Sequence, residues 1–274
     1  MFFPQNHNGI KPPFGTPINL SHFFAKGLIL SLLFNEAFGL KVFDGSKWGS
    51  LGAINGPVWT LGKEGWMLGF DGSGDYVTIY DAPRFDMMEA TVSIWFILDA
   101  VPTASYAGLM RKDQTGAGVG EWMFRFDSGH LKWWEQDPGV GVSASCKNGG
   151  WETGVLYNAL ATRSSVYRQG YVNAIAPGAP NTTNMGMMGD NNLDIEIGRS
   201  TPTGSDLNGK VLAVFVWDHL FSYEKVKMHY QCPYAMYEST VISAVFGGLP
   251  GLTLLDFERG MWRGGVPGVM RGGC

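Results

Sequence analysis

Gly27-Leu28-Ile29-Leu30, Phe34-Asn35-Glu36-Ala37-Phe38-Gly39, a lone Asp44 and Phe70-Asp71-Gly72-Ser73-Gly74-Asp75-Tyr76-Val77 are pieces of one stretch, 27–77, whose reading decides the fold. Apolar runs of strand length alternate here with acidic, glycine-rich turns. That alternation suits a β-sandwich whose loops can present oxygen ligands.

The same period of two runs on to Trp217. In Thr91–Leu98, Val92, Ile94, Phe96 and Leu98 share one face and Ser93 and Trp95 the other. In Glu121–Asp127, Trp122, Met123 and Phe124 crowd both faces, while Arg125 and Asp127 mark one side as wetter. Val211–Trp217 is apolar on both faces, as a strand inside a packed sandwich should be. One helix is expected after it. Ser222 serves as N-cap, Glu224 sits in the first turn, Val226 and Tyr230 lie four apart, and Pro233 ends it after about two turns.

The ends differ in character. Residues 1–26 read as an extended arm, because Pro4, Pro12, Pro13 and Pro17 block regular ladders. Phe2, Phe3, Phe14, Phe23 and Phe24 make that arm too apolar for a solvated linker, so it docks on the domain or on a partner. Residues 27–238 form the sandwich. Residues 239–274 form a second, glycine-rich apolar arm, in which Val241–Phe246 has strand character. Its two readings are ordering on a neighbouring subunit and wrapping the chain's own sandwich.

The chain has 274 residues and a formal charge of −4 at pH 7, which gives no electrostatic footprint for nucleic acid. Three cysteines, with no pair at metal-ligand spacing, argue against a zinc site or a disulfide framework; Cys146 and Cys232 are expected as partly buried thiols. The start lacks the basic region and apolar core of a secretory signal, and Phe23–Phe34 is too short and broken to span a bilayer. The expectation is a protein made in a cytoplasm without export, with no membrane partner.

At this point the residues resemble a family, the concanavalin A-like lectin/glucanase superfamily and its laminin-G-like (LamG type 3) branch. Gly27–Gly39 is similar to the opening strand and "FNE-x-x-G" turn, and Asp44-Gly45-Ser46 to the following "D-x-S". Leu68–Val77 carries the most specific match. Thr91–Trp95, the pair Leu160-Ala161-Thr162 and Gly170–Asn173, Ile195–Arg199, Leu207–Val211 and Leu220–Tyr230 follow in family order. The resemblance implies an all-β jelly-roll sandwich of two antiparallel sheets, with one short C-terminal helix and terminal arms. The flanks Pro13–Leu20 and Pro233–Glu238 further resemble LamG-like proteins of tailed phages and viral metagenomes.

Glucanases of this superfamily carry E-x-D-x-E on one strand. The nearest register here is Asn192-Leu193-Asp194-Ile195-Glu196, with an amide where the nucleophile belongs, so no enzyme activity is expected. Asp194 and Glu196 are expected as solvated outward positions of a final strand. His7, His22, His130, His219 and His229 are scattered, with no nucleophile elbow and no HExxH. Glu36, Asp44, Asp71 and Asp75 lie in loops of the kind that bind calcium in this superfamily; the alternative is that they hold their own turns. For carbohydrate, the candidates are Trp133, Trp134 and Arg125. Adjacent tryptophans on a strand point to opposite faces, so one can be a platform; the alternative is that loops or an arm cover both sheet faces.

Two functions follow from this reading. The first is a non-enzymatic virion structural protein, capsid-decorating or tail-associated. It is held by its arms to capsid or tail proteins and to copies of itself, as a homo-oligomer such as a trimer, and takes host-surface glycan. The alternative is a carbohydrate-binding module or glycoside hydrolase relative acting on polysaccharide.

Overall fold

The runs with period two become strands. The computed structural model describes residues 11–103, 105–112, 121–137, 140–182, 192–199 and 206–237. In chain order the strands are β1 (Leu28–Leu32), β2 (Lys41–Phe43), β3 (Leu51–Asn55), β4 (Val58–Gly62), β5 (Gly65–Asp71), β6 (Tyr76–Ile79), β7 (Ala90–Leu98) and β8 (Ser105–Lys112). They continue as β9 (Glu121–Asp127), β10 (His130–Asp137), β11 (Val140–Asn148), β12 (Leu156–Arg163), β13 (Arg168–Val172), β14 (Ile195–Ile197) and β15 (Asn208–Trp217). Helix α1 (Tyr223–Gln231) follows.

Two antiparallel sheets face each other. A seven-stranded sheet has the order β13-β12-β7-β15-β5-β4, with β1 added on β15. An eight-stranded sheet has the order β11-β10-β9-β8-β14-β6-β3-β2. Between them lies one core, to which β7 gives Val92, Ile94, Phe96 and Leu98 and β9 gives Trp122, Phe124 and Phe126. Both assignments follow the alternation expected from the sequence. β14, the last strand but one in the chain, is internal to its sheet, between β8 and β6.

β15 is the strand on which the seven-stranded sheet is assembled. It pairs with β7 along its length, with β5 through Asn208–Val211 and with β1 through Val214–Trp217. Its residues are apolar on both sides because both sides are packed. Val211, Val214 and Val216 enter the core between the sheets, while Leu212, Phe215 and Trp217 enter a second core on the outer side. Gly27 permits β1 to start here. Its φ is +66°, and a Cβ would come 2.2 Å from Asp218 Oδ1.

That second core is roofed by the chain ends. Ser222 accepts the Lys225 amide at 3.3 Å and caps α1, as expected. The helix buries Val226 and His229, and stacks Tyr230 on Trp95 with ring centroids 5.8 Å apart. From the N-terminal arm, Phe24 is buried, and its carbonyl accepts from Trp217 Nε1 at 2.7 Å. Asn19 N donates to Met236 O at 2.8 Å, and Ile18 bridges to Tyr237, so the two flanks pair with each other. The described part of the arm therefore docks on its own domain. Residues 1–10 and the arm 239–274, with its expected strand Val241–Phe246, lie outside the described residues. Cys146 is a buried free thiol, but Cys232 is disulfide-bonded, which corrects the expectation of a thiol there.

His229 sits edge-on among Phe24, Phe215 and Trp217, its Nε2 3.0 Å from Ser93 Oγ. Asn158 Nδ2 donates to the same Ser93 oxygen at 2.8 Å. Burial, reinforced by the Lys225 ammonium, pushes the His229 pKa down to about 3. The folded state thus holds the neutral ring, whereas the unfolded chain protonates near pH 6.5. Stability is complete above that pH and declines as pH falls toward 3, by up to about 1.4 kcal/mol per pH unit for this proton. His22 and His219 are lowered by the same two causes and add in the same direction. His229→Gln keeps a partner for Ser93 without titrating. Denaturant melts from pH 7.5 to 4 should show it less stable at neutral pH but with a flatter acid limb; an equally steep limb would exclude His229 as the cause.

Candidate functional site

Arm and helix both lie on the seven-stranded sheet, so the outer face of the eight-stranded sheet is where polar and aromatic groups can meet a ligand. Register places Ser143 opposite Trp134, Trp134 opposite Met123, Met123 opposite Arg111, and Arg111 opposite Glu196. Residues directly opposite share a face. Their alternate neighbours Trp133, Phe124 and Met110 enter the core, so this row points outward. Neighbouring strands are about 4.8 Å apart, which puts Trp134 and Arg111, two strands apart, about 10 Å from each other along the backbone.

Trp134 and Arg125 come together as a unit. The Arg125 guanidinium lies 5.0 Å from the Trp134 ring centroid, a cation–π distance. On the other strand, a Cβ at Gly141 would come 2.8 Å from Trp134 Nε1, so the indole rests on backbone that only glycine leaves clear. Both Trp134 and Arg125 are half-buried. Trp133 points the other way and is fully buried; it stacks on Trp122 at 5.2 Å and donates from Nε1 to Glu135 Oε1 at 2.6 Å. As a carbohydrate ligand Trp133 is therefore corrected to a core residue. Glu135 is drawn inside with it, where Arg168 and Arg163 face its Oε2 at 3.1 and 3.4 Å.

Beyond Met123 the row becomes ionic. Arg111 Nε donates to Glu196 Oε2 at 2.9 Å and its Nη2 bonds the same oxygen, while Arg199 Nη1 donates to Glu196 Oε1 at 3.1 Å. Arg199 also lies 4.5 Å over the Tyr76 ring. Arg111 Nη1 is buried and has no hydrogen-bond partner. Arg111 and Arg199 were not among the residues singled out from the sequence. Alternation against the inward Met110 is the signal that places Arg111 outward.

The same geometry bears on catalysis. Asn192 is exposed, Asp194 Oδ1 accepts the Asp81 amide at 2.8 Å, and Glu196 has both oxygens engaged by arginines. Glu196 is thus outward but held, which corrects the expectation of a solvated carboxylate. Asn192 leaves the position of a glycosidase nucleophile without an ionisable group.

The four acids considered for calcium sit in three places. Asp44 accepts from Ser31 N and Ser46 N on Oδ1, and from Ser46 Oγ and Ser50 N on Oδ2. Glu36 accepts the Phe43 amide at 2.7 Å, and its carboxyl is raised by burial. Asp75 accepts the Asp71 amide at 3.0 Å and Asp71 the Ser73 amide at 2.8 Å, so both hold the β5–β6 turn. Burial first, then Asp71 and Asp206, raise the Asp75 pKa. Among the described residues no group of three or more acids, histidines or cysteines is arranged to hold a metal ion. The four acids are instead engaged by backbone amides of their own turns and strands. Among the same residues, no helix is long and apolar enough to cross a membrane.

Comparison with known proteins agrees with this fold. The model of the laminin-G-like type 3 family, described as the concanavalin A-like lectin/glucanases superfamily, matches residues 71–227. No curated protein matches the chain. Among solved structures, the binding domain of botulinum neurotoxin serotype D is similar, with TM-score 0.60 and 15% identity over 77% of this chain and 53% of that one. A botulinum neurotoxin type C structure, whose title makes cell entry dependent on interaction with two ganglioside molecules, gives 0.59 and 13% over 75% and 51%. Trypanosoma rangeli sialidase in complex with sialic acid gives 0.59 and 17% over 78% and 34%. The chain thus spans about half of the toxin chains and a third of the sialidase, and at these identities the likeness is one of fold.

The opposite fates of the two tryptophans can be measured. Trp133→Ala should destabilise by about 3–5 kcal/mol, as truncating a core aromatic does. Trp134→Ala should cost about 1 kcal/mol or less. Equal losses in urea unfolding would mean that the strand's phase is wrong.

Proposed function

Because the chain belongs to the concanavalin A-like lectin/glucanases superfamily, we propose that it is a non-enzymatic binding module whose ligand is a glycan. The outer face of the eight-stranded sheet is its binding surface. The observation that carries this reading is the Trp134–Arg125 unit, an indole fixed on a rigid strand beside an ionic row. Sugars are bound by an aromatic face against their C–H surface, with polar groups at the edge to read hydroxyls. Here Trp134 supplies the face, and Arg125, Arg111 and Glu196 supply the edge. Asn192 in the nucleophile's register supports binding without hydrolysis.

The finer reading sets this module on a phage virion, decorating the capsid or associated with the tail, beside capsid or tail proteins and further copies of itself. Its support is the resemblance of the flanks 13–20 and 233–238. Those flanks meet at the Asn19–Met236 and Ile18–Tyr237 contacts.

A broad panel of immobilised bacterial and animal glycans tests the binding reading. At least one glycan should be retained, Trp134→Ala should weaken it about tenfold while lowering the melting temperature by no more than about 4 °C, and no new reducing ends should appear. Retention that survives Trp134→Ala unchanged would move the site elsewhere. Released reducing ends would overturn the non-enzymatic part.

A further inference from the structure

At its β2 end the outer face of the eight-stranded sheet is open and apolar. Phe43 of β2 stands opposite Leu51 of β3. The β3–β6 register pairs Gly52 with Ile79, and one step further it sets Leu51 beside Tyr80. The alternate residues Val42 and Ile79 enter the core, so Phe43, Leu51 and Tyr80 point outward as one row. Phe14 of the arm extends the row, its ring 5.6 Å from that of Phe43. These four residues are between 43% and 63% exposed. Exposed apolar residues ordinarily stand singly, whereas a contiguous run marks a surface that something covers.

The edge of β2 is guarded against strand pairing. Asp44 N donates to Ser50 O, toward β3, so the Phe43 amide points the other way, where Glu36 Oε1 accepts it at 2.7 Å. A capped amide on an edge strand of three residues keeps other strands off. The cover therefore lies across the face, and the course of the chain supplies it. Phe14 is fixed from both sides, by Lys11 Nζ on Phe34 O at 3.1 Å and by the antiparallel bridge of Ile18 to Tyr237. Antiparallel pairing directs the chain beyond Tyr237 back along the arm, toward Phe14. Phe14 lies four positions before Ile18 and Val241 four after Tyr237, at most about 13 Å of chain in each case. Val241–Phe246 carries no charge, and Ile242, Ala244 and Phe246 share one face when it is extended. Its length of about 20 Å spans the roughly 15 Å from Phe14 to Tyr80.

We propose that Val241–Phe246 of this same chain lies across Phe14, Phe43, Leu51 and Tyr80 and covers the β2 end of the sheet. The C-terminal arm is then a strap closed on its own domain. The bond at Cys232 supports closure within the chain: Cys146 is a free thiol, so Cys274 is the cysteine of the sequence that remains to pair with Cys232.

Photocrosslinking of the full chain, with p-benzoylphenylalanine in place of Tyr80, tests the strap. Irradiation should join position 80 to a peptide containing residues 241–246, in a product that keeps the monomer's mass under reduction. A product of twice that mass, in which a second copy covers the row, would overturn the strap, as would the absence of any crosslink into the tail. Should the Tyr80 variant fail to fold, the same replacement at Leu51 reads the same face. A second measurement perturbs the tail alone. Ile242→Asp with Phe246→Asp should raise the fluorescence of a dye that binds apolar surface at least about threefold. Adding Phe43→Lys to that variant should remove most of the gain. No gain, or a gain that survives Phe43→Lys, would place the segment elsewhere and overturn the strap.

Discussion

The burial of the seven-stranded sheet on both faces is the constraint from which the rest follows. β15 has ten residues and pairs on both sides, so its apolar side chains point into two cores at once. Neither core can be left open without exposing Trp217, Phe215 and Trp95 to water, at about 25 cal/mol for each Å² of apolar surface. Phe24 of the arm and Val226, His229 and Tyr230 of α1 close the outer one. The chain ends are consequently part of the domain's stability where they are described. They also occupy the sheet face that a ligand would otherwise reach. The other sheet carries Trp134, Arg125, Arg111 and Glu196 on its outward side.

Much of the fold was legible because strands repeat every two residues. The faces of β7 and β9, the double-sided β15 and the capped helix at Ser222 all stand where alternation and capping put them. The phase at Trp133-Trp134 was not legible. Adjacent residues must point to opposite faces, but which of them enters the core is decided by neighbours distant in sequence, here Trp122 and Phe124 across the sheet. The buried charges escaped for the same reason. Lys112 is fully buried between Asp81 and Asp86, and Glu135 meets Arg163 and Arg168, across separations that no local pattern encodes. The stretch that decided the fold was also read for more than it holds. Its acids accept backbone amides at Asp44, Asp71 and Asp75 and so shape their own turns. The family match begins at Asp71, where that stretch is nearly over.

The candidate site shows how a sheet can prepare a surface without loops. Trp134 is pinned on one side by Arg125 and lies against Gly141 on the other, so little rotamer freedom remains to be lost on binding. Arg111 is held by Glu196 in one orientation. A glycan meeting such a row pays less ordering cost than one captured by mobile loops.

Hydrogen–deuterium exchange of the full chain, with and without a glycan that it retains, tests the central claim most directly. With the outer face of the eight-stranded sheet as the proposed binding surface, protection should appear on peptides spanning β9, β10 and β14, with those of α1 and the arm unchanged. Protection confined to α1, the arm or the β2–β3 edge would contradict the account.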